Sequence, residues 1–77
     1  RRIINLFQLL VLANLGDCDP VGQGVFELRM IFCPGYRVYF AEGDKDRVIL
    51  LFGGIKDTQK QDIEIAKSYW KEYKSHG

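Results

Sequence analysis

The stretch "ELRMIFCPGYRVYF", Glu27 to Phe40, constrains the fold more than any other part of the chain. On its N-terminal side Val25–Phe32 alternates. Phe26, Leu28, Met30 and Phe32 point one way, and Val25, Glu27, Arg29 and Ile31 the other. After Pro34-Gly35, Tyr36–Ala41 alternates again, with Tyr36, Val38 and Phe40 opposite Arg37, Tyr39 and Ala41. A period of two is the signature of a strand with two different faces. Two antiparallel strands joined by a short turn follow. A two-residue Pro34-Gly35 loop would set Phe32 beside Arg37, mixing core with charge. A one-residue slip flips every side chain to the other face, and Pro-Gly suits the twist of two-residue hairpins poorly. A three-residue loop or a bulge restores the parity. The predicted register then pairs Leu28 with Phe40, Met30 with Val38, Arg29 with Tyr39 and Ile31 with Arg37. It sets Arg29, Arg37 and Tyr39 on one face, Glu27 at its edge, with the helices covering the opposite face.

The remaining elements follow from periodicity. "EGDKDR" is a turn, and Val48–Phe52 is apolar on both sides, as in a central strand covered on both faces. Short connections make the three strands an antiparallel meander. Ile3, Leu6, Phe7 and Leu10 recur at helical spacing, so Ile3 to Ala13 reads as a helix. Its other side is apolar too, so it expects cover from a missing segment or another chain. "NLGDCDPVGQG" concentrates turn residues and reads as a connector. The last helix opens with Asp57 or Thr58 as cap and Thr58-x-x-Gln61 as a capping box. Ile63, Ala66, Trp70 and Tyr73 form the stripe that packs on the sheet. The class is α+β: an antiparallel sheet of three or more twisted strands with an N-terminal and a C-terminal helix.

At 77 residues the chain is one domain. Eleven Lys and Arg against ten Asp and Glu leave a net charge of +1, which excludes nucleic-acid binding by bulk charge and leaves only local clusters. Cys18 and Cys33 make no disulfide framework and no zinc motif, and read as free thiols of the cytoplasm. No GxGxxG or GxxxxGK[ST] occurs, so no cofactor is called for. "RRIINLFQLLVLANL" resembles a secretory leader, but it is interrupted by Asn5, Gln8 and Asn14 and is too short to span a bilayer. The chain begins without Met, inside a helical pattern, so upstream sequence is expected.

Two guanidiniums and a phenol on one sheet face can serve an anion. Arg presents a planar fork that matches phosphate oxygens, and Tyr can stack on a base or pass a proton. Lys56 in "GGIKDTQ" stands just before a helix N-terminus, itself favourable to anions. The same residues can equally form a solvated outer face of cross-strand pairs. Glu27 fits a general base or, more simply, a partner to Arg29.

"NLGDCDPVGQGVFELRMIFCPGYRVYF" followed by "VILLFGGIKDTQKQDIEIAKSYW" resembles the RelE/ParE toxin superfamily, and within it the HigB-like addiction-module killer proteins. The likeness runs from about Leu9 to Tyr73. It implies a RelE-like fold, here without the family's N-terminal strand. It also implies a toxin of a type II toxin-antitoxin system: a ribosome-dependent mRNA endonuclease, neutralised by a cognate antitoxin, often of helix-turn-helix type. Carried over onto this chain, Arg29 and Arg37 would bind the phosphate, Lys56 would assist at it, and Tyr39 would stack or move a proton. The superfamily leaves two other outcomes open: a ParE-like gyrase inhibitor, or an inactive protein that only binds its antitoxin.

Overall fold

Asn5 ends one element and begins another. Its side chain accepts the Gln8 N–H at 2.8 Å, while Gln8 Oε1 accepts the Asn5 N–H at 2.9 Å. This reciprocal cap starts helix α1 at Leu6–Ala13. Upstream of it, Arg2–Asn5 is strand β1. The helix expected from Ile3 is therefore shorter. The cap stops it, and the β-branched Ile3 and Ile4 suit a strand. The computed structural model describes residues 2–14, 16–30 and 35–76, without the Arg2 side chain.

Four more strands follow: β2 Gly16–Gly22, β3 Val25–Met30, β4 Tyr36–Glu42 and β5 Arg47–Ile55. A 3-10 turn, Lys56–Thr58, leads into helix α2, Gln59–His76. The sheet is antiparallel throughout, in the order β1-β5-β4-β3-β2. Its heart is the predicted meander β3-β4-β5. The two outer strands were not expected. β2 replaces the predicted connector: an edge strand tolerates Pro20, whose nitrogen has no proton to donate. Gln23, with φ of 55°, and its flanking glycines turn β2 into β3.

The β3–β4 register keeps the predicted parity but slips by two residues. Glu27 pairs with Tyr39, Leu28 with Val38, and Arg29 with Arg37. A slip of two leaves every side chain on its face, so the burial pattern cannot detect it. Most of the connecting loop, residues 31–34 including Cys33 and Pro34, lies outside the described residues.

The faces are covered differently from expectation. Only α1 packs where both helices were predicted: Leu9 joins Leu28, Phe40 and Val48, with Phe26 stacked on Phe40 at 5.5 Å. Helix α2 lies on the arginine-bearing face. There Ala66, flanked by Ile63, Trp70 and Tyr73, packs on Val25, Tyr39, Ala41, Ile49 and Leu51. The expected stripe is right and its target face is reversed. β5 is buried from both sides, as its sequence required. A bulge opposite Tyr39–Phe40 inserts Leu51, so Leu51 and Phe52 both serve the α2 core. Thr58 forms no capping box; its hydroxyl donates to Asp62 Oδ2 at 2.5 Å.

Candidate functional site

Strand pairing lines up two polar rows across the α2 face. The first runs Asp17, Arg29, Arg37, Gly54 from β2 to β5, and the second Asp19, Glu27, Tyr39, Phe52. The next row inward, Val25, Ala41 and Ile49, is core. Charge therefore gathers at one end of the sheet, where α2 begins. Gly54 is needed there: a Cβ would collide with the Asp62 carboxylate of the first turn of α2.

Glu27 is the hub of these rows. It is only 1% exposed, although sequence suggested an edge. Its Oε1 accepts from Arg29 Nη1 at 3.0 Å, and its Oε2 accepts from Tyr39 Oη at 3.1 Å and from Gln59 Nε2 at 2.8 Å. Arg37 Nη1 lies 3.7 Å from the same Oε2, within ion-pair range but not hydrogen-bonded. A carboxylate whose oxygens already accept from three donors has little left to offer a substrate. It is well made to fix the arginines in place.

The two arginines are not equivalent. The Arg29 side chain is 35% exposed and also pairs through Nη2 with Asp19 Oδ2 at 2.5 Å. Its hydrogen bonds to Asp19 and then Glu27 push its pKa up. The Arg37 side chain is 11% exposed, and its Nε and Nη1 find no acceptor among the described residues. Buried N–H groups without acceptors are uncommon and call for an explanation. An anion at this end of the sheet would meet the guanidinium through its exposed part, since Nε and Nη1 are shielded from solvent.

Tyr39 does not match the role expected of it. Its residue exposure is 0%, beneath α2, so its ring offers no surface for a base. Burial first, and then its bond to the Glu27 carboxylate, push its pKa up to about 12. It braces Glu27. Lys56 is exposed at the same end of the sheet, two residues beyond Gly54, and its backbone N–H donates to Gly35 O at 2.6 Å. Its ammonium has no hydrogen bond or ion pair among the described residues.

Three participants were not anticipated. Asp19 was hidden in the supposed connector, although "DCD" has the alternation of an edge strand. Gln59 and Asp62 carry no local signal, because only the docking of α2 on this face brings them to the rows. Cys18 faces away, opposite Leu28. Among the described residues no three His, Cys, Asp or Glu side chains gather to hold a metal, and no helix is long and apolar enough to cross a membrane.

Comparison with known proteins adds one relative. The chain is 48% identical over 58 residues to an uncharacterized protein of Haemophilus influenzae, an alignment covering 75% of this chain and 59% of that protein. The chain thus spans about three-fifths of the length of the curated relative it matches. No protein-family model and no solved structure matches.

Proposed function

We propose that this chain is the toxin of a type II toxin-antitoxin system and acts as a ribosome-dependent mRNA endonuclease in the cytoplasm. The observation that carries the reading is the Arg29–Arg37 pair. Arg29 and Arg37 are directly opposed on adjacent strands, tethered to one buried carboxylate, and Arg37 still has N–H groups without acceptors among the described residues. The resemblance of "ELR", "PGYRVYF" and "GGIKD" to HigB-like toxins supplies the reaction. In it the ribose 2′-OH attacks the adjacent phosphorus in line. The P–O5′ bond breaks, leaving a 2′,3′-cyclic phosphate and a 5′-OH.

Charge accumulates on the non-bridging phosphate oxygens, and preorganised donors act most strongly on charge that develops in the transition state. Arg37 would meet that charge from the sheet floor and Arg29 from its rim. Lys56, exposed and without an ion pair among the described residues, would hold the flanking backbone. Glu27 and Tyr39 act through the arginines, as positioning residues. The partners on this reading are the ribosome with its mRNA, and a cognate antitoxin of helix-turn-helix type that silences the toxin.

Expression of the full reading frame should arrest growth and leave transcripts with new 5′-OH ends. Arg37→Met should lower cleavage by about 10²–10³-fold, the usual loss for one such donor. Growth arrest with intact transcripts would overturn the nuclease reading and favour a gyrase-type target.

A further inference from the structure

Four of the chain's six lysines, Lys60, Lys67, Lys71 and Lys74, fall on α2 at intervals of seven, four and three residues. At 3.6 residues per turn these spacings gather them within about 60° around the helix axis. The stripe has a definite position in the fold. It begins one residue after Gln59, which is bonded to Glu27, and passes Gly22 at the β2–β3 turn, where the Lys67 ammonium lies. From Lys60 to Lys74 it spans about 21 Å of α2, at 1.5 Å per residue, away from the arginine rows and towards the turns at the far end of the sheet.

The stripe is little neutralised. Glu64 lies 3.8 Å from Lys67 and mostly in solvent, where such a pair contributes little, and Glu42 and Asp44 share a cleft with Lys74 at the far end. Asp62 is buried against the sheet, and Glu72 projects from the other side of the helix. Lys60 and Lys71 are exposed and have no ion pair among the described residues. Lys74 is held over the Trp70 ring, 5.3 Å from its centroid, and Trp70 is stacked on Tyr73 at 5.7 Å. On a chain with a net charge of only +1, this is a local concentration of positive charge beside a half-buried aromatic.

We infer that the lysine flank of α2 is a track for a single RNA strand, leading to the arginine pair. The inference rests on the endonuclease reading above for the identity of the polyanion. Charge complementarity selects an anionic partner, and continuity with the paired arginines Arg29 and Arg37 selects RNA over an acidic peptide. At about 21 Å, the track is long enough for several successive phosphates of one strand.

The test is fluorescence anisotropy of a labelled, uncleavable 2′-O-methyl oligoribonucleotide of about 12 nucleotides, titrated with the full chain over a series of salt concentrations. Each phosphate contact on a single strand contributes about 0.7 to the slope of log K against log salt. Lys67→Gln with Lys71→Gln and Lys74→Gln should lower that slope by about 2, whereas the three Lys→Arg changes should keep it. Lys71→Gln alone, at an exposed and unpaired site, should lower it by about 0.7 and serves if the triple variant loses its circular-dichroism signal. A native slope in the Gln variants overturns the track, as does polyglutamate displacing the oligonucleotide at lower charge concentration than unlabelled RNA. Intact transcripts in cells would overturn the nuclease reading while leaving this slope as measured, so the two failures are separable.

Discussion

Replacing Glu27 with alanine should be among the most damaging single changes to this fold, and the structure shows why. The carboxylate is 1% exposed and takes donors from Arg29, Tyr39 and Gln59. Without it Arg29 keeps Asp19, but Arg37 loses its one carboxylate within ion-pair range among the described residues. Removing one partner of a buried ion pair costs about 3–5 kcal/mol. The buried Tyr39 hydroxyl, left without an acceptor, adds about 1–3 kcal/mol. Since the Arg37 contact is a long 3.7 Å, the lower end of the first range applies, and the total is about 4 kcal/mol. A 77-residue domain has only about 4–12 kcal/mol in all. Urea unfolding followed by circular dichroism should therefore find Glu27→Ala less stable by about 4 kcal/mol, at least a third of the total. Arg37→Met should cost far less, because Glu27 retains Arg29, Tyr39 and Gln59. The double variant should be more stable than the sum of the two losses predicts. A Glu27→Ala loss below about 1 kcal/mol, the range of a surface pair, would refute the hub.

Two further outcomes follow from the same neighbourhood. Tyr39 has its folded pKa raised to about 12 from 10, so its contribution is complete below the unfolded value and is lost as pH climbs from about 10 to 12. Native protein should lose about 2–3 kcal/mol over that window relative to Tyr39→Phe, read by urea midpoints at each pH; parallel curves would contradict the burial. Gly54→Ala should cost about 1–3 kcal/mol by overpacking against Asp62, and Gly54→Ala with Asp62→Ala should recover part of it; strictly additive losses would show that the carboxylate is not the obstacle.

The sequence made the meander legible because alternation is a local property. Phe26, Leu28 and Phe40 had to share a face, and so did Arg29, Arg37 and Tyr39. It did not reveal the two-residue slip, since parity is all that alternation records. Nor did it reveal which face each helix takes. The stripe of Ile63, Ala66, Trp70 and Tyr73 fits any apolar surface, and Val25, Ala41 and Ile49 are as apolar as the far side. That choice decided the character of the site. With α2 on the arginine face, Tyr39 became a buried strut, Glu27 a hub, and Gln59 and Asp62 neighbours. β2 was overlooked because Gly16, Pro20 and Gly22 look like loop residues, and they are tolerated there only because the strand is at the edge. β1 was absorbed into the helical period of Leu6 and Leu10, although the capping box at Asn5 and Gln8 was present in the sequence.

The most direct test is to map transcript ends after induction of the full reading frame, native beside Arg37→Met, with the folded state of each verified by circular dichroism. New 5′-OH ends are expected with the native chain, and their loss by about 10²–10³-fold in a folded Arg37→Met protein. Cleavage at the native rate by that variant, or growth arrest with every transcript intact, would contradict the endonuclease reading.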